Sequence, residues 1–331
     1  MVSTPADGDA PSTLALSDGR AGNARQALAL ARALAPFADE HVLVPKAPWR
    51  WLAPRRCPGD AHAFGPGFTS LLSAPPALAV GCGRQAALAT RLLRGRGTRV
   101  VQVLDPRLPA RHWDIVVAPE HDGLAGDNVI TLAGSLHPVD DAWLHRARDE
   151  APEFAALPSP RIAVLVGGPS GRAGFEVADF DALMADVAAM AAREGGSLML
   201  VASRRTPDAV RAALRTWAAP GVPVRAWAGT GDGHNPYAGM LAWADRIACT
   251  ADSVNMLSEA CATRAPVFVH RPEAMRGRPR RFVDALLARG RVRPLEAGAA
   301  PFDAVPLRET ARVAAEVRRR LAASRGQVGT P

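Results

Sequence analysis

Residues 245–270 read DRIACTADSVNMLSEACATRAPVFVH and decide the fold. An apolar strand (246–249), a polar turn, a helix opened by Ser253 and a second strand (266–269) follow one another, an order that predicts a crossover of a parallel sheet. Ser253 is expected to cap the helix, whose first N–H groups favour an anion. Glu259 lies about two turns further along and suits the vicinal hydroxyls of a ribose. The stretch therefore fits a nucleoside diphosphate, although every α/β protein contains such crossovers.

Strands and helices alternate in the same way through the rest of the chain. Alternation of this kind indicates parallel sheets flanked by helices. The predicted fold is therefore α/β, with two Rossmann-like domains facing a cleft. Strands are predicted at 13–17, 41–45, 75–83, 99–105, 114–119 and 128–132 in the first half, and at 161–166, 197–202 and 223–227 in the second.

A stiff hinge, Pro158-Ser159-Pro160, separates the two halves. The expected organisation is a disordered lead-in (1–12), an N-terminal Rossmann-like domain (13–157), a C-terminal Rossmann-like domain (158–305) and a helix that packs back across the cleft (306–331).

Charge and composition exclude several classes of protein. The formal charge is +8, but Lys46 is the only lysine, and this arginine bias indicates genomic base composition. No basic stripe is interleaved with aromatic residues, so we expect no nucleic-acid partner. A P-loop requires a lysine after its glycines, and Tyr237, the only tyrosine, is not followed by lysine four residues later. P-loop hydrolases and sugar epimerases of the short-chain dehydrogenase type are therefore excluded.

We expect no metal, no cofactor and no disulfide. The cysteines are scattered without a C-x-x-C pair, which predicts buried free thiols. Asp179-Phe180-Asp181 mimics a D-x-D metal motif, but its position at a helix start favours a capping role. No apolar run reaches the roughly 20 residues that span a bilayer, and the first residues lack signal-peptide features. The protein is expected in the cytoplasm.

Polar residues follow strand after strand in the first half. Because the carboxyl ends of parallel strands share one edge, one cleft should collect them. Asp18 and Asn23 have an alternative interpretation as turn former and helix N-cap. The candidate residues at this edge are Asp18, Gly19, Asn23, Gln26, Arg84, Asp105, Arg107, His121 and Asp122.

Residues 47–56, APWRWLAPRR, combine two tryptophans with three arginines. Aromatic rings at headgroup depth and guanidinium groups on anionic lipid are typical of an interfacial anchor. We therefore predict contact with the inner face of a membrane, with a covered surface loop as the alternative. The residues assigned to this contact are Trp49, Arg50, Trp51, Arg55 and Arg56.

Several segments of the chain resemble a known family. These are SDGRAGNARQ (17–26), VQVLDPR (101–107), VAPEHDG (117–123), GGPSG (167–171), SRRT (203–206) and HNPYAGMLAWADRIACTADSVNMLSEACATRAPVFV (234–269). They are similar to the mitochondrial-fission family of the elongated-mitochondria type, which is largely bacterial despite its name. That family is similar in turn to GT-B glycosyltransferases, in which the C-terminal of two facing Rossmann-like domains binds a nucleotide sugar.

The resemblance implies a donor side in the second domain and an acceptor side in the first. Glu259 would meet the ribose, Ser253 and its neighbours the diphosphate, and one arginine of the pair at 204–205 would neutralise the leaving group. Asp18 or His121 would act as the catalytic base. The implied nucleotide-sugar residues are Gly167, Gly168, Ser170, Arg204, Arg205, Tyr237, Thr250, Asp252, Ser253, Met256 and Glu259.

Three functions remain open from the sequence. The first is metal-independent transfer of a sugar from a nucleoside diphosphate to a cell-envelope acceptor. The second is a nucleotide-sugar 2-epimerase of the same fold. The third is a non-catalytic protein that binds membranes or acts as a scaffold. The identity of the sugar, base and acceptor and the oligomeric state do not follow from the sequence.

Overall fold

The computed structural model of the protein describes residues 13–168 and 175–326, with side chains as far as residue 323. The chain divides into two compact units, Met1–Pro138 with Glu309–Pro331 and Val139–Arg308. Each unit contains one six-stranded parallel sheet flanked by helices, which confirms the α/β class and the two Rossmann-like domains. The lead-in predicted at 1–12 lies outside the described residues.

The sheet of the first unit has the order β2-β1-β3-β4-β5-β6. All neighbouring strands run parallel, so their carboxyl ends share one edge. The elements are β1 (Thr13–Ser17), α1 (Ala21–Leu34), β2 (Asp39–Val42), α2 (Trp49–Leu52), α3 (Pro66–Ser73), β3 (Leu78–Cys82), α4 (Arg84–Arg94), β4 (Arg99–Val103), β5 (Ile115–Pro119) and β6 (Val129–Leu132).

The first sheet buries an apolar cluster on each of its faces. Leu14 and Leu16 of β1 pack into one cluster, whereas Ala15 between them packs into the other. This alternation follows from the two-residue period of a strand. Strands buried on both faces read as continuous apolar runs, which is why the sequence pattern identified them.

The sheet of the second unit has the order β12-β11-β10-β7-β8-β9. The crossover predicted at 245–270 is present as β10, α9 and β11. The elements are α5 (Asp141–Asp149), β7 (Arg161–Val166), α6 (Val177–Glu194), β8 (Ser197–Ala202), α7 (Asp208–Thr216), β9 (Val224–Trp227), α8 (Tyr237–Trp243), β10 (Arg246–Thr250), α9 (Val254–Cys261), β11 (Val267–His270), α10 (Gly277–Ala288) and β12 (Val292–Pro294).

The two units divide after Pro138, earlier than the hinge at 158–160 that we expected. The reason is that the segment containing α5 packs on α8. The Arg148 guanidinium donates to the Ala242 carbonyl at 2.7 Å, and Gly239 lacks the side chain that would overlap Ala151 and the Phe154 ring. Residues 139–157 therefore belong with the second unit.

The last helix, α11 (Glu309–Gly326), returns to the first unit. Val313, Ala314 and Val317 are buried in the cluster that also contains Ala15. The Glu309 carboxylate accepts the Ala133 N–H at 3.1 Å. The core of the first unit is thus completed by a segment that follows the whole second unit in sequence.

Local differences from the sequence-based expectations are small. Strand β2 covers Asp39–Val42 and not 41–45, and neither α3 nor β12 was expected. Three of the four cysteines are buried thiols, as predicted; Cys57 is half-buried. Among the described helices, none has the length and apolar character that crossing a bilayer requires.

Candidate functional site

Three adjacent strands of the second unit, β10, β7 and β8, end at one edge. The turns that follow them contain Thr250–Ser253, Gly167–Gly168 and Ser203–Arg205, respectively. The structure therefore brings together the three turns that the sequence singled out. Ser170 lies outside the described residues.

The two glycine N–H groups of this edge already have protein partners. Gly167 N–H donates to Thr250 Oγ1 at 2.8 Å, and Gly168 N–H donates to Asp252 Oδ2 at 2.7 Å. A Cβ on Gly167 would overlap the Asp252 carboxylate, and one on Gly168 would overlap the Arg205 carbonyl. The packing of the turns on one another thus requires both glycines. The approach of these glycines to the phosphates of a nucleotide stays a prediction.

Thr206 holds two of these turns in place, a role that the sequence reasoning missed. Its hydroxyl lies 2.9 Å from the Val166 carbonyl oxygen and 2.6 Å from that of Gly167, and it accepts the Ser203 N–H at 2.9 Å. The side chain is only 3% exposed. Its position three residues after Ser203, within an S-x-x-T turn, was the available signal.

The exposed arginine pair at 204–205 directly precedes the buried Thr206. The Arg205 N–H donates to Ser203 Oγ at 3.2 Å. The Arg211 guanidinium donates to the Ser203 and Thr206 carbonyls, each at 2.8 Å, and so holds the turn. The backbone of the turn is therefore rigid. Both arginines of the pair are exposed.

Helix α9 begins at this edge and carries the remaining candidates. Ser253 is its N-cap and accepts the Met256 N–H at 3.5 Å, as expected. Glu259 is 2% exposed and lies on the buried side of the helix. Tyr237 begins α8 and is 9% exposed. It packs in the apolar cluster that also contains Leu257 of α9.

Asp252 is a buried carboxylate at the centre of the edge, 7% exposed. Burial raises its pKa above the ordinary value, whereas hydrogen bonds from Thr250 and Gly168 and the nearby charge of Arg205 act in the opposite direction. The protonated form is therefore favoured in the folded protein relative to the unfolded chain.

We expect Asp252→Asn to flatten the pH dependence of stability. Because the folded pKa is raised, the folded state binds more protons than the unfolded chain between the two pKa values. The wild-type free energy of unfolding should then fall as pH rises through that window, by at most about 1.4 kcal/mol per pH unit. Urea unfolding at several values from pH 4 to 7 measures this slope. Parallel curves for the two proteins would contradict the assignment.

His270 is a second residue that the sequence did not flag. It ends β11 beside Thr250 of β10 and is 6% exposed. Its Nε2 has no hydrogen-bond partner within the part of the chain described. Burial, followed by the charge of Arg271, lowers the pKa of this imidazole, so the neutral form is favoured.

The first unit collects its polar candidates at the carboxyl edge of its own sheet. Asp18 follows β1 and accepts the Asn23 amide at 2.9 Å, while the Cys82 thiol lies 3.8 Å from Asn23 Oδ1. Burial raises the pKa of that thiol. The alternative of Asn23 as helix N-cap is wrong, because Arg20 occupies that position. Gln26 is buried and donates to the Gly22 carbonyl at 3.3 Å.

Arg84 follows β3, but its guanidinium donates to the Arg50 and Trp51 carbonyls at 3.0 and 3.4 Å and so supports α2. Asp105 follows β4, accepts the Arg107 N–H at 2.8 Å and pairs with that guanidinium at 3.2 Å. His121 and Asp122 are half-buried in a turn after β5, and Gly19 follows β1 with a φ of +74°. These residues share one edge, and their catalytic roles stay predictions.

The segment at 47–56 is a folded loop that contains α2. The Trp49 indole packs on Gly59 and donates to the Pro58 carbonyl at 3.4 Å, and Arg56 pairs with Asp60. Trp51 is 60% exposed, and the Arg50 guanidinium stacks on it, 4.5 Å from the ring centroid. Arg55 is exposed. Trp49 and Arg56 therefore stabilise the loop, whereas Arg50, Trp51 and Arg55 present its outer surface.

No metal site was expected. Within residues 13–168 and 175–326, no three His, Cys, Asp or Glu side chains are placed to hold a metal ion. Asp179 belongs to a capping box with Glu176 and pairs with Arg271 at 2.6 Å, and Phe180 is buried in the core. Within the D-x-D sequence, Asp179 therefore caps the helix and Phe180 packs in the core.

Comparison with known proteins identifies a family and a fold. A sequence profile described as "Mitochondrial fission ELM1" matches residues 21–321. "Mitochondrial fission protein ELM1" of Arabidopsis thaliana is 31% identical over 278 residues, 75% of this chain and 64% of that protein. "Uncharacterized protein RP120" of Rickettsia prowazekii (strain Madrid E) is 23% identical over 233 residues, 60% of this chain and 65% of the relative. The chain thus spans less than two thirds of the length of either relative.

Among solved structures, UDP-GlcNAc 2-epimerase from Methanocaldococcus jannaschii is similar with a TM-score of 0.53 and 14% identity, covering 93% of this chain and 99% of that one. At this identity the similarity concerns the fold alone. It confirms the GT-B-like architecture expected from the sequence.

Proposed function

Because this chain belongs to the mitochondrial fission ELM1 family and has a GT-B-like fold, we propose that it is a metal-independent glycosyltransferase that uses a nucleoside-diphosphate sugar. The observation that carries this proposal is the edge where β10, β7 and β8 end, since it combines a helix start with two exposed arginines. Such an edge of a parallel sheet is where ligands bind in open α/β folds.

The donor is proposed to bind the second unit. The first turn of α9, opened by Ser253, offers N–H groups to the diphosphate. Arg204 or Arg205 stabilises the negative charge that builds on the diphosphate as the glycosidic bond breaks. The transition state is oxocarbenium-like, as in other glycoside chemistry. Glu259 accepts hydrogen bonds from the ribose hydroxyls.

The acceptor is proposed to bind the first unit, where a base removes the hydroxyl proton as the new glycosidic bond forms. Asp18 and His121 are the candidates, because both follow strands at the carboxyl edge of the sheet. A half-buried carboxylate or imidazole within hydrogen-bond reach of the acceptor suffices for this step.

We expect Glu259→Gln to weaken nucleoside-diphosphate binding by about tenfold or more. The amide keeps the shape of the side chain but exchanges a charged acceptor for a neutral one, and hydrogen bonds to charged groups contribute about 1.5–3 kcal/mol. Isothermal calorimetry with UDP, GDP, ADP and dTDP measures the affinity. Bound nucleotide should also raise the melting temperature of the wild-type protein by mass action.

The matched control for this substitution is Glu153→Gln, at an exposed carboxylate in the turn before β7. It removes the same charge from the same unit and should leave nucleotide affinity within a factor of two. Equal affinities of wild-type protein and Glu259→Gln for every nucleotide bound would remove Glu259 from the site. The absence of any nucleotide binding by the wild type would remove the proposed donor.

A nucleotide-sugar 2-epimerase is the second candidate function. Asp18, Asp105 and His121 follow β1, β4 and β5 at the same edge of the first sheet, and epimerisation needs carboxylates and a histidine around one sugar. Incubating the protein with a nucleotide sugar alone, followed by NMR, separates the two functions. Epimerisation proceeds without an acceptor, whereas transfer requires one.

A non-catalytic membrane-associated or scaffolding protein is the third candidate. The exposed Trp51 with its stacked Arg50 favours contact with a membrane surface. We propose that such contact is made from the cytoplasmic side. This function predicts vesicle binding without nucleotide binding, so the calorimetry described above distinguishes it from the transferase.

A further inference from the structure

Lys46 is the only lysine among the 40 basic residues that the sequence counts as Lys plus Arg. It follows β2, four residues after the strand ends at Val42. Strand β2 pairs with β1, and the Leu43 N–H donates to the Ser17 carbonyl at 2.8 Å. Lys46 therefore lies at the same sheet edge as the candidate base Asp18. Lysine supplies a compact, strongly hydrated point charge that suits a single anionic group.

A surface cavity of about 420 Å³ lies beside Lys46. Its other lining residues are His62, Gly65, Pro66, Thr69, Ser70 and Ser73. No acidic side chain is among these described lining residues. The cavity thus has one cation, one imidazole and several hydroxyl groups. This lining is complementary to an anion with polar substituents.

The Lys46 ammonium lies at the positive end of a helix. Its Nζ is 3.8 Å from the position that a Cβ on Gly65 would occupy, and Gly65 is the N-cap of α3, with a φ of +83°. Within the described chain no side chain caps this helix, and its first turn contains no acidic residue. A cation at a helix N-terminus is electrostatically unfavourable unless an anion shares the site.

The Lys46 ammonium and the His62 imidazole are both available to a ligand. In the part of the chain that the structure describes, the Lys46 ammonium forms no ion pair and the His62 ring forms no hydrogen bond. The Ser70 hydroxyl donates to the Pro66 carbonyl at 3.2 Å and the Thr69 hydroxyl to that of Gly65 at 3.1 Å, so each would exchange this bond for one to the ligand.

Exposed apolar side chains lie close to Lys46 along the chain. The Lys46 carbonyl accepts the Arg50 N–H at 2.8 Å, so α2 starts directly from the cavity. On this helix Trp51 is 60% and Leu52 39% exposed, and Val44, two residues before Lys46, is 69% exposed. Exposed apolar side chains beside a cation are complementary to an amphiphile with an anionic head.

We propose that the cavity at Lys46 is an acceptor subsite for an anionic membrane lipid. The ammonium binds the phosphate or carboxylate of the headgroup, and Val44, Trp51 and Leu52 lie against the apolar part. The acceptor hydroxyl then reaches the edge that bears Asp18. This assignment names the acceptor class of the proposed transferase and rests on that function.

The experiment is flotation of the protein with vesicles of phosphatidylcholine, either alone or with about one third phosphatidic acid. Lys46→Gln should lower affinity for the anionic vesicles by about tenfold or more, because a charge-assisted headgroup contact is lost. Trp51→Ser should lower vesicle binding but leave binding of soluble glycerol 3-phosphate unchanged.

The matched control is Arg96→Gln. Arg96 is an exposed cation in the turn between α4 and β4, at the opposite edge of the same sheet. It removes the same charge but lies away from the cavity, so affinity should change by less than about twofold. Equal losses in both variants would show general charge attraction and overturn the subsite. Tight binding of inorganic phosphate without vesicle binding would assign the cavity to a free anion and overturn the lipid.

Nucleotide binding distinguishes the failure of this subsite from the failure of the proposed function. UDP calorimetry on Lys46→Gln should match the wild type, since the donor is assigned to the other unit. Wild-type protein that binds vesicles through Lys46 but no nucleotide would refute the transferase and leave a lipid site. Wild-type protein that binds nucleotide but no anionic vesicles would refute the lipid subsite alone.

Discussion

Gly168→Ala should lower the free energy of unfolding by about 3 kcal/mol and weaken nucleotide binding with it. The new Cβ would overlap the carbonyl carbon and oxygen of Arg205. Both partners are backbone, so no rotamer change relieves the overlap, and the turn after β7 must move away from the turn after β8. The Gly168 N–H would then lose its bond to Asp252. Urea unfolding followed by circular dichroism gives the stability, and UDP calorimetry gives the affinity.

Gly231→Ala is the control for this substitution. Gly231 lies in a surface turn of the same unit, with nothing within 4 Å of the position of a Cβ. The same added methyl group should therefore change stability by less than about 0.5 kcal/mol. A Gly168→Ala protein as stable as the Gly231→Ala protein would mean that the two turns are not packed as described.

Arg291→Met should destabilise the second unit by about 3 kcal/mol, because several carbonyls would lose their donor at once. The Arg291 guanidinium is 5% exposed. It follows α10 in the chain and caps the carboxyl end of α9. It donates to the Cys261, Thr263 and Ala265 carbonyls at 2.9, 2.9 and 3.2 Å, and to that of Ala260 at 3.3 Å. Burial lowers the pKa of this side chain, yet the carbonyls and the helix dipole compensate for the buried charge.

Arg264→Met is the comparison, since Arg264 lies in the turn after α9, whose carbonyls Arg291 binds. Its guanidinium is 75% exposed and is 3.9 Å from the exposed Asp141 carboxylate. Exposed ion pairs contribute little, so the loss should stay below about 1 kcal/mol. Unfolding in urea measures both. A smaller loss for Arg291→Met than for Arg264→Met would contradict the role assigned to the buried guanidinium.

The sequence predicted the fold because its strands are buried on both faces. Runs such as RIAVLV at 161–166 and RIACT at 246–250 are continuous and apolar, so their positions needed no tertiary information. The exposed edge strand β2, DEHV, has no such run, and its expected position was shifted. Helix α3 was missed because PGFTSLLS begins with Pro and Gly and has a short apolar face.

The candidate site was predictable as a location but not as a set of contacts. Strand ends identify an edge, which is why Gly167, Thr250 and Asp252 meet. Which donors already have partners depends on contacts between residues more than 80 positions apart, and a local pattern carries no such information. Thr206 and His270 were missed for the same reason, since burial gives them their importance.

The unit boundary shows the same limit. A proline-rich segment at 158–160 was the natural place for a hinge, yet Ser159 bonds Asp245 at 2.6 Å and the Ser197 N–H bonds the Pro160 carbonyl at 3.0 Å. Composition indicates stiffness but not which neighbours a segment binds. The contact of α5 with α8 decided the boundary.

The return of α11 to the first unit has a consequence for biosynthesis. Residues 139–308 form a unit that is continuous in sequence, so it needs no later segment once it has left the ribosome. Domains fold as units during translation. The first unit emerges earlier but lacks Val313, Ala314 and Val317 until α11 has been translated. The half made first should therefore mature last, and in the interval its unfinished apolar face is the surface that a chaperone would bind.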